Sequence, residues 1–598
     1  MFIIKTQSSS KNTTKYYTHR LVESKRDSMG KVYKQTILNL GSNYAVVAEL
    51  DWSILTDRVQ NILIGQESLL SLEDHIESEA QRIASIIIKR DGQVVDSNKE
   101  LDSNYQHVDV TTLRNSDVKT VGAEHLAFET AKKLNIPEIL ATCGLSKRDV
   151  DSAFASIMGR LLSPGSEVST SQYLKNNSAL DEVIGTDFTQ MHKERLYKIS
   201  DILLKHKNVI EDKLYNQEKN LFALKEIVTL YDLTNTYFEG ESRANENAAF
   251  GRSKEKRTDC PLVTLALVLD GSGFPKKTHI FKGNISEATT LESMLNTLGS
   301  KEAIVVMDAG IATEDNIEWL NDNNYKYLVI SRKRKQELPD IEGVIVKNEP
   351  NNKVTTFLLK NEKESELYCH SESMARRTTI MSEKYIERFI KELQKLSDGL
   401  TKKGSIKKYD RINQKIGRLK EKYSKVALQF DIKIIADDKK EKVTQLAWEH
   451  QPDKQSKEPG IYCIRTNQTE LNNKEIWDTY RMLNDVEAAF RTLKTDLGLR
   501  PIYHQKTDRI SGHIFISVLA YHILHAIRYQ LLANNITDSW QTIQSKLSTH
   551  YRVTTTLKQK DNKTLHIRKS MQANPQQKAI YQACNIISVK PNTIITSY

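Results

Sequence analysis

The order of the apolar segments between residues 224 and 331 constrains the fold most. Three strand-like runs, KEIVTLYDLTNTYF, PLVTLALVLD and KTHIF, follow one another with short turns, which is typical of an antiparallel meander. The helical segment SEATTLESMLNTLG, the apolar strand AIVVMD, the helix TEDNIEWLNDN and the strand YKYLVIS come next. The order βββαβαβ predicts an α/β sheet that begins antiparallel and adds parallel strands through crossover helices.

This order of elements is that of the ribonuclease H-like fold, which needs one further helix packed on the sheet. The next strong helical pattern, IWDTYRMLNDVEAAFRTLK, begins near Ile476, so about 145 residues interrupt the predicted core. The interrupting segment is strand-like at both ends. Between these ends, the stretches from Tyr385 to Leu400 and from Ile406 to Val426 carry apolar stripes that predict an αα-hairpin. We interpret the whole segment as a mixed β and helical insertion domain.

The residues before the core fall into two regions, one mainly strand-like and one helical in its sequence pattern. The first part alternates like strands around one helical stretch, and the region from 122 to 225 shows helical periodicity with Pro and Gly breaks. This helical region is either a DNA-binding bundle or a structural bundle that packs on the core. The predicted organisation is an N-terminal accessory α+β domain (1–115), a helical DNA-end-binding domain (116–223), the first part of the core (224–331), the insertion domain with its basic helical hairpin (332–470), the second part of the core (471–535) and a C-terminal basic appendage (536–598).

The distribution of charge favours a polyanionic partner. Lys and Arg outnumber Asp and Glu by 87 to 76, and between Arg376 and Lys425 there are 16 basic against 6 acidic residues. A run of charge usually marks a solvated helix face, but such a one-sided excess favours contact with a phosphate backbone. Nucleic acid is therefore the expected partner.

Cysteine usage and apolar content favour a cytoplasmic, nucleoid-associated protein. The five cysteines form no CxxC pair, so neither a zinc knuckle nor a disulfide framework is supported. The apolar run at the N-terminus is too short for the core of a signal peptide. The longest apolar stretch, Ile514 to Ile527, is interrupted by His522 and His525 and is shorter than a membrane-spanning segment.

Three acidic residues fall where this fold would place a site for phosphoryl transfer. Asp232 lies inside the run VTLYDLTNTYF, where Asp is unusual, Asp308 ends the run AIVVMDAG, and Glu487 is on the later helix. The carboxyl ends of parallel strands are where open α/β sheets carry their ligand-binding groups. Oxygen ligands suit Mg²⁺ or Mn²⁺, so the three acids predict a site for two such ions about 3.5–4 Å apart.

Each acid also has an ordinary structural explanation. Asp308 can punctuate a turn, Asp232 can pair with a buried cation, and Glu487 can be a solvated helix carboxylate. Two other acids compete for the role. Asp270 introduces a GSG hairpin at the far side of the meander, and Asp485 is displaced by about 200° from Glu487 around the helix.

The helix around Glu487 resembles a known signature. The run YRMLNDVEAAFRTLK resembles the Y-(2)-R-(3)-E-(6)-K signature of the DDE transposases of bacterial insertion sequences, whose ribonuclease H-like core is interrupted before the catalytic Glu. Tyr480, Glu487 and Lys494 match the signature. Further similar segments are YDLTNTYFEG, GRSKEKRTDCPLVTLALVLDGSGFP, VVMDAGIATEDNIEWL and LGLRPIYHQKTDRISGHIFISVLAYHIL.

The signature is not complete in this chain. Its Arg position holds Leu483, so Arg481 or Arg491 would have to supply that phosphate contact. His504, Arg509 and His513 follow in PIYHQKTDRISGH and could contact DNA or support the site, whereas Arg509 and His513 could instead be helix caps or core partners.

The resemblance implies a metal-dependent transposase that acts through Asp232, Asp308 and Glu487 as catalytic residues and as ligands of two Mg²⁺ or Mn²⁺ ions. It implies binding of terminal inverted repeats, strand cleavage that exposes a 3′-hydroxyl, and strand transfer to target DNA within a homodimeric complex. The residues expected to bind DNA are Tyr480, Arg481, Arg491, Lys494 and Arg509. The alternatives are a nuclease of the same fold without strand transfer and a catalytically inactive DNA-binding protein derived from a transposase.

Overall fold

The computed structural model describes most of the chain, namely residues 1–11, 14–27, 29–42, 44–66, 72–91, 93–95, 105–188, 191–240, 242–251, 258–298, 301–331, 337–437, 441–452, 458–589 and 593–598. Part of the similar segment GRSKEKRTDC, residues 252–257, lies outside these ranges.

The described residues form strands and helices along the whole chain. The strands are β1 (Phe2–Lys11), β2 (Thr14–Arg26), β3 (Val32–Ser42), β4 (Gln93–Val95), β5 (Val108–Thr120), β6 (Val228–Tyr237), β7 (Leu262–Asp270), β8 (Pro275–Lys282), β9 (Ile304–Met307), β10 (Tyr327–Ile330), β11 (Val344–Lys347), β12 (Val354–Lys360), β13 (Ser365–Ser371), β14 (Phe430–Ala436), β15 (Val443–His450), β16 (Ile461–Thr466), β17 (Tyr551–Gln559), β18 (Thr564–Ser570) and β19 (Thr593–Ser597). The helices are α1 (Trp52–Leu63), α2 (Asp74–Asp91), α3 (Gly122–Lys133), α4 (Ile136–Thr142), α5 (Lys147–Leu162), α6 (Glu167–Asn176), α7 (Leu180–Ile184), α8 (Lys193–Lys205), α9 (Lys207–Phe222), α10 (Leu291–Leu295), α11 (Glu314–Asp322), α12 (Glu372–Thr401), α13 (Tyr409–Lys422), α14 (Ser424–Ala427), α15 (Asn473–Arg481), α16 (Leu483–Thr495), α17 (Thr507–Ala533), α18 (Trp540–Leu547) and α19 (Pro575–Ala583).

The chain divides into two compact units. The first unit comprises Met1–Ala223, Thr236–Val263 and Ala489–Tyr598, and the second comprises Leu224–Asn235 and Thr264–Ala488. The large mixed sheet of the second unit, together with the helices of both units, confirms the expected multidomain α/β class.

The first unit contains two sheets and a helical bundle. The antiparallel sheet β1-β2-β3 packs one face on α1 and α2 around a core that includes Leu21, Val59 and Ile83. The second sheet has the order β4-β19-β18-β17-β5, so strands from both ends of the chain lie side by side. The C-terminal residues that the sequence suggested as an appendage thus complete a sheet with β4 and β5.

Helix α17 is the central helix of the first unit. It packs against α3, α5 and α8. Among the described residues this one helix is long and apolar enough to cross a membrane, with a mean hydropathy of 1.5 in its most apolar stretch, yet 89% of that stretch is buried inside the protein. Burial on all sides explains why its sequence is apolar all round rather than amphipathic.

A buried ion network joins the elements of the first unit. The Glu182 carboxylate on α7 accepts hydrogen bonds from Arg568 at 2.7 Å and from Arg552, and it lies 3.0 Å from the Lys89 ammonium. These cations overcome the effect of burial and hold the pKa of Glu182 well below its usual range. The carboxylate therefore stays ionised inside the unit, where an unpaired charge would be costly.

The second unit is built on a nine-stranded sheet with the order β11-β12-β13-β16-β10-β9-β6-β7-β8. Strands β6, β9 and β10 are parallel to one another, and β16 is antiparallel to β10. Helices α10 and α11 pack on one face of this sheet, which we call the helical face, around residues such as Tyr231, Met307 and Val329.

The segment expected to be an insertion domain divides between two structures. Its strands β11, β12, β13 and β16 extend the sheet of the core. Its remaining part, α12 to α14 with the hairpin β14-β15, has an apolar core of its own that includes Phe389, Leu393, Ile412 and Ile416. Alternating strand patterns specify a sheet partner only through tertiary contacts, so the sequence alone did not assign these strands to the core sheet.

The predicted single helix from Ile476 onward is two helices. A tight turn at Met482 separates α15 from α16, with the Met482 N–H donating to the Thr479 carbonyl at 3.2 Å and the Asp485 N–H donating to the Met482 carbonyl at 2.9 Å. Bonds between residues three apart tighten the backbone locally. Tyr480 and Glu487, seven residues apart in the signature, therefore do not lie on one continuous helix.

Close packing of α17 on α8 generates a stability prediction. A Cβ atom at Gly512 would lie 2.1 Å from Ser200 Oγ and 3.0 Å from the Ser200 carbonyl oxygen. We expect Gly512→Ala to lower the free energy of unfolding by about 1–3 kcal/mol, because the two helices must separate. The matched control is Gly417→Ala on α13, where nothing lies within 4 Å of the new atom. That change should stabilise by about 0.5–1 kcal/mol. Thermal unfolding midpoints test both, and equal midpoints for the two variants would contradict the packing argument.

Candidate active site

Asp232 and Asp308 lie at the same level on neighbouring parallel strands. The register of β6 with β9 runs from Val228↔Ile304 to Tyr231↔Met307, and Asp232 and Asp308 are the next residues of the two chain segments. Neighbouring strands are about 4.8 Å apart, so the two carboxylates start from adjacent backbone positions. This adjacency is what the sequence predicted for the two aspartates.

Both aspartates project from the face opposite the helical face. Tyr231 and Met307, the residues just before them, pack in the apolar core beneath α10 and α11, and Tyr231 donates its hydroxyl proton to Thr290 at 2.7 Å. Successive side chains of a strand point to opposite faces. Asp232 and Asp308 therefore share the other face, which we call the acidic face.

Helix α15 lies over the acidic face. The Trp477 indole N–H donates to the Tyr462 hydroxyl at 3.0 Å, and the rings of Tyr462 and Tyr480 are 6.2 Å apart. Tyr462 is on β16, three residues before Arg465, whose guanidinium reaches Glu314 on α11 at the helical face. Residues three apart on a strand point to opposite faces, so Tyr462 lies on the acidic face. Helix α15, whose Trp477 contacts Tyr462, lies on that face as well.

The charges of Asp308 and Glu487 both act on the Tyr480 hydroxyl. Burial, and then the negative charges of Asp308 and Glu487, raise the pKa of the Tyr480 hydroxyl. Both carboxylates therefore lie within electrostatic range of the same hydroxyl. Asp232 and Asp308 follow paired positions of β6 and β9, so these two lie on neighbouring strands.

Both aspartates of the site accept a hydrogen bond from the next backbone N–H. Asp308 Oδ1 accepts the N–H of Ala309 and Asp232 Oδ1 accepts the N–H of Leu233, each at 2.7 Å. The side chains of Asp308 and Glu487 are exposed. The ligand oxygens of the three acids do not all fall within 4.8 Å of one another, as a site for one ion would require.

The rival acids occupy other positions. Asp270 Oδ1 accepts the N–H groups of Ser272 and Phe274, each at 2.9 Å, and burial raises the pKa of Asp270 to about 6. The neighbouring Gly271 lies against Val228 at the start of β6, four residues before Asp232. Asp270 therefore shapes a turn at the other end of the strand.

Sequence reasoning missed one carboxylate near the site. A Cβ atom at Gly310, two residues after Asp308, would lie 2.3 Å from Glu287 Oε2. Burial raises the pKa of Tyr231, and the negative charges of Asp232 and Glu287 add to this effect. The lack of a side chain at Gly310 thus admits Glu287 beside the loop that follows Asp308. In the sequence, Glu287 marked only the start of the helical segment SEATTLESMLNTLG.

The predicted DNA-binding cations lie on α15, α16 and α17. The Arg481 guanidinium is exposed and stacks on Trp477, 4.8 Å from the ring centroid. Arg491 is exposed and Lys494 half-buried, both on α16 in the first unit. Arg509 on α17 forms an ion pair with Asp201 at 2.9 Å and lies 4.9 Å from the centroid of the Tyr197 ring. Packing against α8 accounts for the position of Arg509.

His504 and His513 belong to a buried polar cluster of the first unit. The ligand atoms of Glu167, His504 and His513 lie within 4.8 Å of one another, the one such set of three in the described ranges. His504 Nε2 is 3.0 Å from Glu167 Oε1, and the Arg160 guanidinium is 3.0 Å from His513 Nδ1. Burial and then the positive charge of Arg160 lower the pKa of His513. That guanidinium would also repel a cation, so we assign no metal to this cluster.

Comparison with known proteins assigns the middle of the chain to a protein family. A family model described as the transposase DDE domain matches residues 223–523, just over half of the sequence. No curated protein matches the chain. Among solved structures, a piggyBac transposase in a synaptic complex with hairpin DNA is similar at a TM-score of 0.31 and 10% identity, over 68% of this chain and 70% of the other. The family match contains Asp232, Asp308 and Glu487, and it confirms the family expected from the sequence.

The accumulation of negative charge on the acidic face generates a prediction. Because the Asp232 and Asp308 carboxylates start from adjacent positions on neighbouring strands, Asp308→Asn should relieve repulsion between them and raise the thermal unfolding midpoint in EDTA by about 1 °C. The matched control is Asp315→Asn, an exposed residue in the first turn of α11, where a negative charge favours the helix. We expect that control to lower the midpoint. A lower midpoint for Asp308→Asn as well would contradict the repulsion.

Proposed function

This chain belongs to the family of transposase DDE domains, and we propose that it cuts DNA at the ends of an insertion sequence and joins those ends to a target. The proposal depends on one observation, the equal level of Asp232 and Asp308 on parallel neighbouring strands, with Glu487 acting on the same phenol as Asp308. The three carboxylates would be the catalytic residues. Separate structural roles for the three acids would not require Asp232 and Asp308, remote along the chain, to lie at one level of the sheet, and this adjacency supports the proposal.

The proposed fold of the core is ribonuclease H-like. The order β8-β7-β6-β9-β10 within the sheet supports it, since three consecutive strands are followed by two that join in parallel through α10 and α11. The long interruption before α15 and α16 supports it too, because the helix with Glu487 follows the interruption as the resemblance implies.

The donor set suits divalent metal ions. Asp232, Asp308 and Glu487 offer only oxygen atoms, which are the ligands that Mg²⁺ and Mn²⁺ prefer. We propose that these three residues would hold two such ions. When bound, such ions lower the pKa of an attacking water or 3′-hydroxyl and neutralise charge on the leaving oxygen.

The remaining side chains of the signature would position DNA. Tyr480 stands beside the carboxylates with a high pKa, so it stays a neutral hydrogen-bond donor at physiological pH. Arg481, Arg491 and Lys494 are proposed to bind phosphates through charge-assisted hydrogen bonds. Arg481 would take the place of the missing Arg of the signature. For Arg509, the ion pair with Asp201 has to be exchanged for a phosphate before it can contact DNA.

The proposed partners are terminal inverted repeats, target DNA and a second copy of the chain. The basic helices α12 and α13 support a contact with the DNA backbone, because their apolar side chains are used in a core of their own and leave the lysines and arginines for solvent or phosphate. A cytoplasmic, nucleoid-associated protein would meet all three partners.

The central test is cleavage of duplexes that carry the ends of the element, with Mn²⁺ or Mg²⁺. We expect Asp232→Asn, Asp308→Asn and Glu487→Gln each to reduce nicking by at least ~10²-fold, because bound metal ions supply several kcal/mol to phosphoryl transfer. Binding of the same duplexes should be largely retained. The matched control is Asp485→Asn, an exposed acid two residues from Glu487 on α16, which should cleave like the unmodified chain. If any of the three variants nicks DNA as fast as the unmodified chain, the substituted residue is not part of the catalytic site.

A second measurement distinguishes the transposase from a nuclease of the same fold. Ends that are already cleaved and carry a 3′-hydroxyl should be joined to a target duplex by the unmodified chain. Cleavage without joining would establish the nuclease alternative, and the absence of both reactions with intact DNA binding would indicate a protein that only binds DNA.

A further inference from the structure

The N-terminal sheet ends in a two-stranded extension. Strand β1 starts opposite Val22 of β2, whereas β2 and β3 continue to pair from Glu23↔Gln35 to Arg26↔Val32. We call residues 23–26 and 32–35 the ribbon. Its four residue pairs span roughly 13 Å at about 3.3 Å per residue. The ribbon thus extends beyond the three-stranded part of the sheet.

The side chains of the ribbon are open to solvent. Every residue from Ser24 to Arg26 and from Val32 to Gln35 is exposed, and Val32 and Tyr33 keep 54% and 47% of their accessible surface. A strand pair with exposed β-branched and aromatic side chains tends to associate with other molecules. The ribbon therefore has the character of a binding element, and its charge indicates the partner.

Positive charge dominates one face of the ribbon. Because side chains alternate along each strand, one face carries Ser24, Arg26, Val32 and Lys34, and the other carries Glu23, Lys25, Tyr33 and Gln35. The first face, which we call the basic face, has two cations and no acid. On the other face the Lys25 ammonium is 3.8 Å from Glu23. An anionic ligand would therefore be attracted chiefly to the basic face.

Asp27, the acid between β2 and β3, accepts hydrogen bonds from nearby backbone N–H groups. Asp27 Oδ1 accepts the N–H groups of Met29 and Lys31, each at 2.9 Å, and Arg26 Nη1 lies 3.5 Å from the Gly30 carbonyl oxygen. These bonds hold the end of the ribbon in one shape. A preorganised ribbon loses less entropy when it binds.

The body of the sheet anchors the ribbon. Ile3, Leu21 and Leu38 lie in one row across the three strands and pack in the core with α1 and α2. On the same side, the His19 ring is 5.3 Å from the Trp52 ring. This packing fixes the register of β2 with β3 and leaves the basic face directed away from the helices.

We propose that the ribbon enters the major groove of duplex DNA, with its basic face toward the phosphates and base edges. The major groove, about 12 Å wide, admits a two-stranded β-ribbon. Arg26 and Lys34 would contact phosphates or guanine edges, and the Val32 side chain would contact thymine methyl groups. This proposal rests on the proposed function for the nature of the partner, and it makes the N-terminal sheet a DNA-binding element separate from the acidic face.

The test is the salt dependence of DNA binding by the full chain in EDTA. Each lost phosphate contact should reduce the slope of log Kd against log salt concentration by about 0.9. We expect Arg26→Gln with Lys34→Gln to reduce the slope by about 2 and to weaken binding by roughly tenfold or more at physiological salt. The control removes two charges where each lysine already has an adjacent carboxylate, namely Lys132→Gln with Lys563→Gln. The control should bind like the unmodified chain.

Chemical footprinting places the contact without substitution. DNA should protect Lys34 from acetylation and leave Lys132 and Lys563 reactive. Methyl green, a ligand of the major groove, should compete with the ribbon, and distamycin, a ligand of the minor groove, should not. An unchanged slope in the ribbon variant, or full reactivity of Lys34 in the complex, would overturn the proposal, and competition by distamycin alone would overturn the choice of groove.

Failure of the ribbon proposal can be distinguished from failure of the proposed function. If the ribbon variant binds and nicks DNA like the unmodified chain, the ribbon has no role in binding and the catalytic proposal stands. If the unmodified chain neither binds nor nicks DNA, both proposals are wrong.

Discussion

The parallel pairing of β6 with β9 is the interaction on which the candidate site depends. It sets Asp232 and Asp308 at one level, and the alternation of side chains then puts both on the face that α15 covers. A shift of this register by one residue would turn one of the two carboxylates into the apolar core beneath α10 and α11. The packing of Tyr231 and Met307 in that core is therefore what keeps the site intact.

The candidate site concentrates negative charge. Asp308 and Glu487 both act on Tyr480, Asp232 is next to Asp308, and Glu287 lies close to the loop after Asp308. Such a concentration of like charge would attract divalent ions, which is the basis of the proposed chemistry.

Contacts between distant parts of the sequence complete both units. In the first unit, β17 to β19 share a sheet with β4 and β5, and Glu182 on α7 is held by Arg552 and Arg568 from β17 and β18. In the second unit, strands of the interrupting segment widen the core sheet. These elements act as structural parts of the core, and only the helices α12 to α14 with their hairpin form a separate cluster.

The sequence by itself determined the order βββαβαβ and the family, and it proposed the three acids as candidates, because apolar periodicity and the matching Tyr, Glu and Lys positions of the signature are local along the chain. It also predicted the apolar stripes of the helical hairpin, which Phe389 and Ile412 illustrate. The tertiary structure alone decided the break at Met482, the approach of Glu287 to Gly310 and the pairing of the two chain ends. The strands β17 to β19 meet β4 and β5 from hundreds of positions away, and no local pattern of side chains specifies which segment a strand pairs with or which residue a loop approaches.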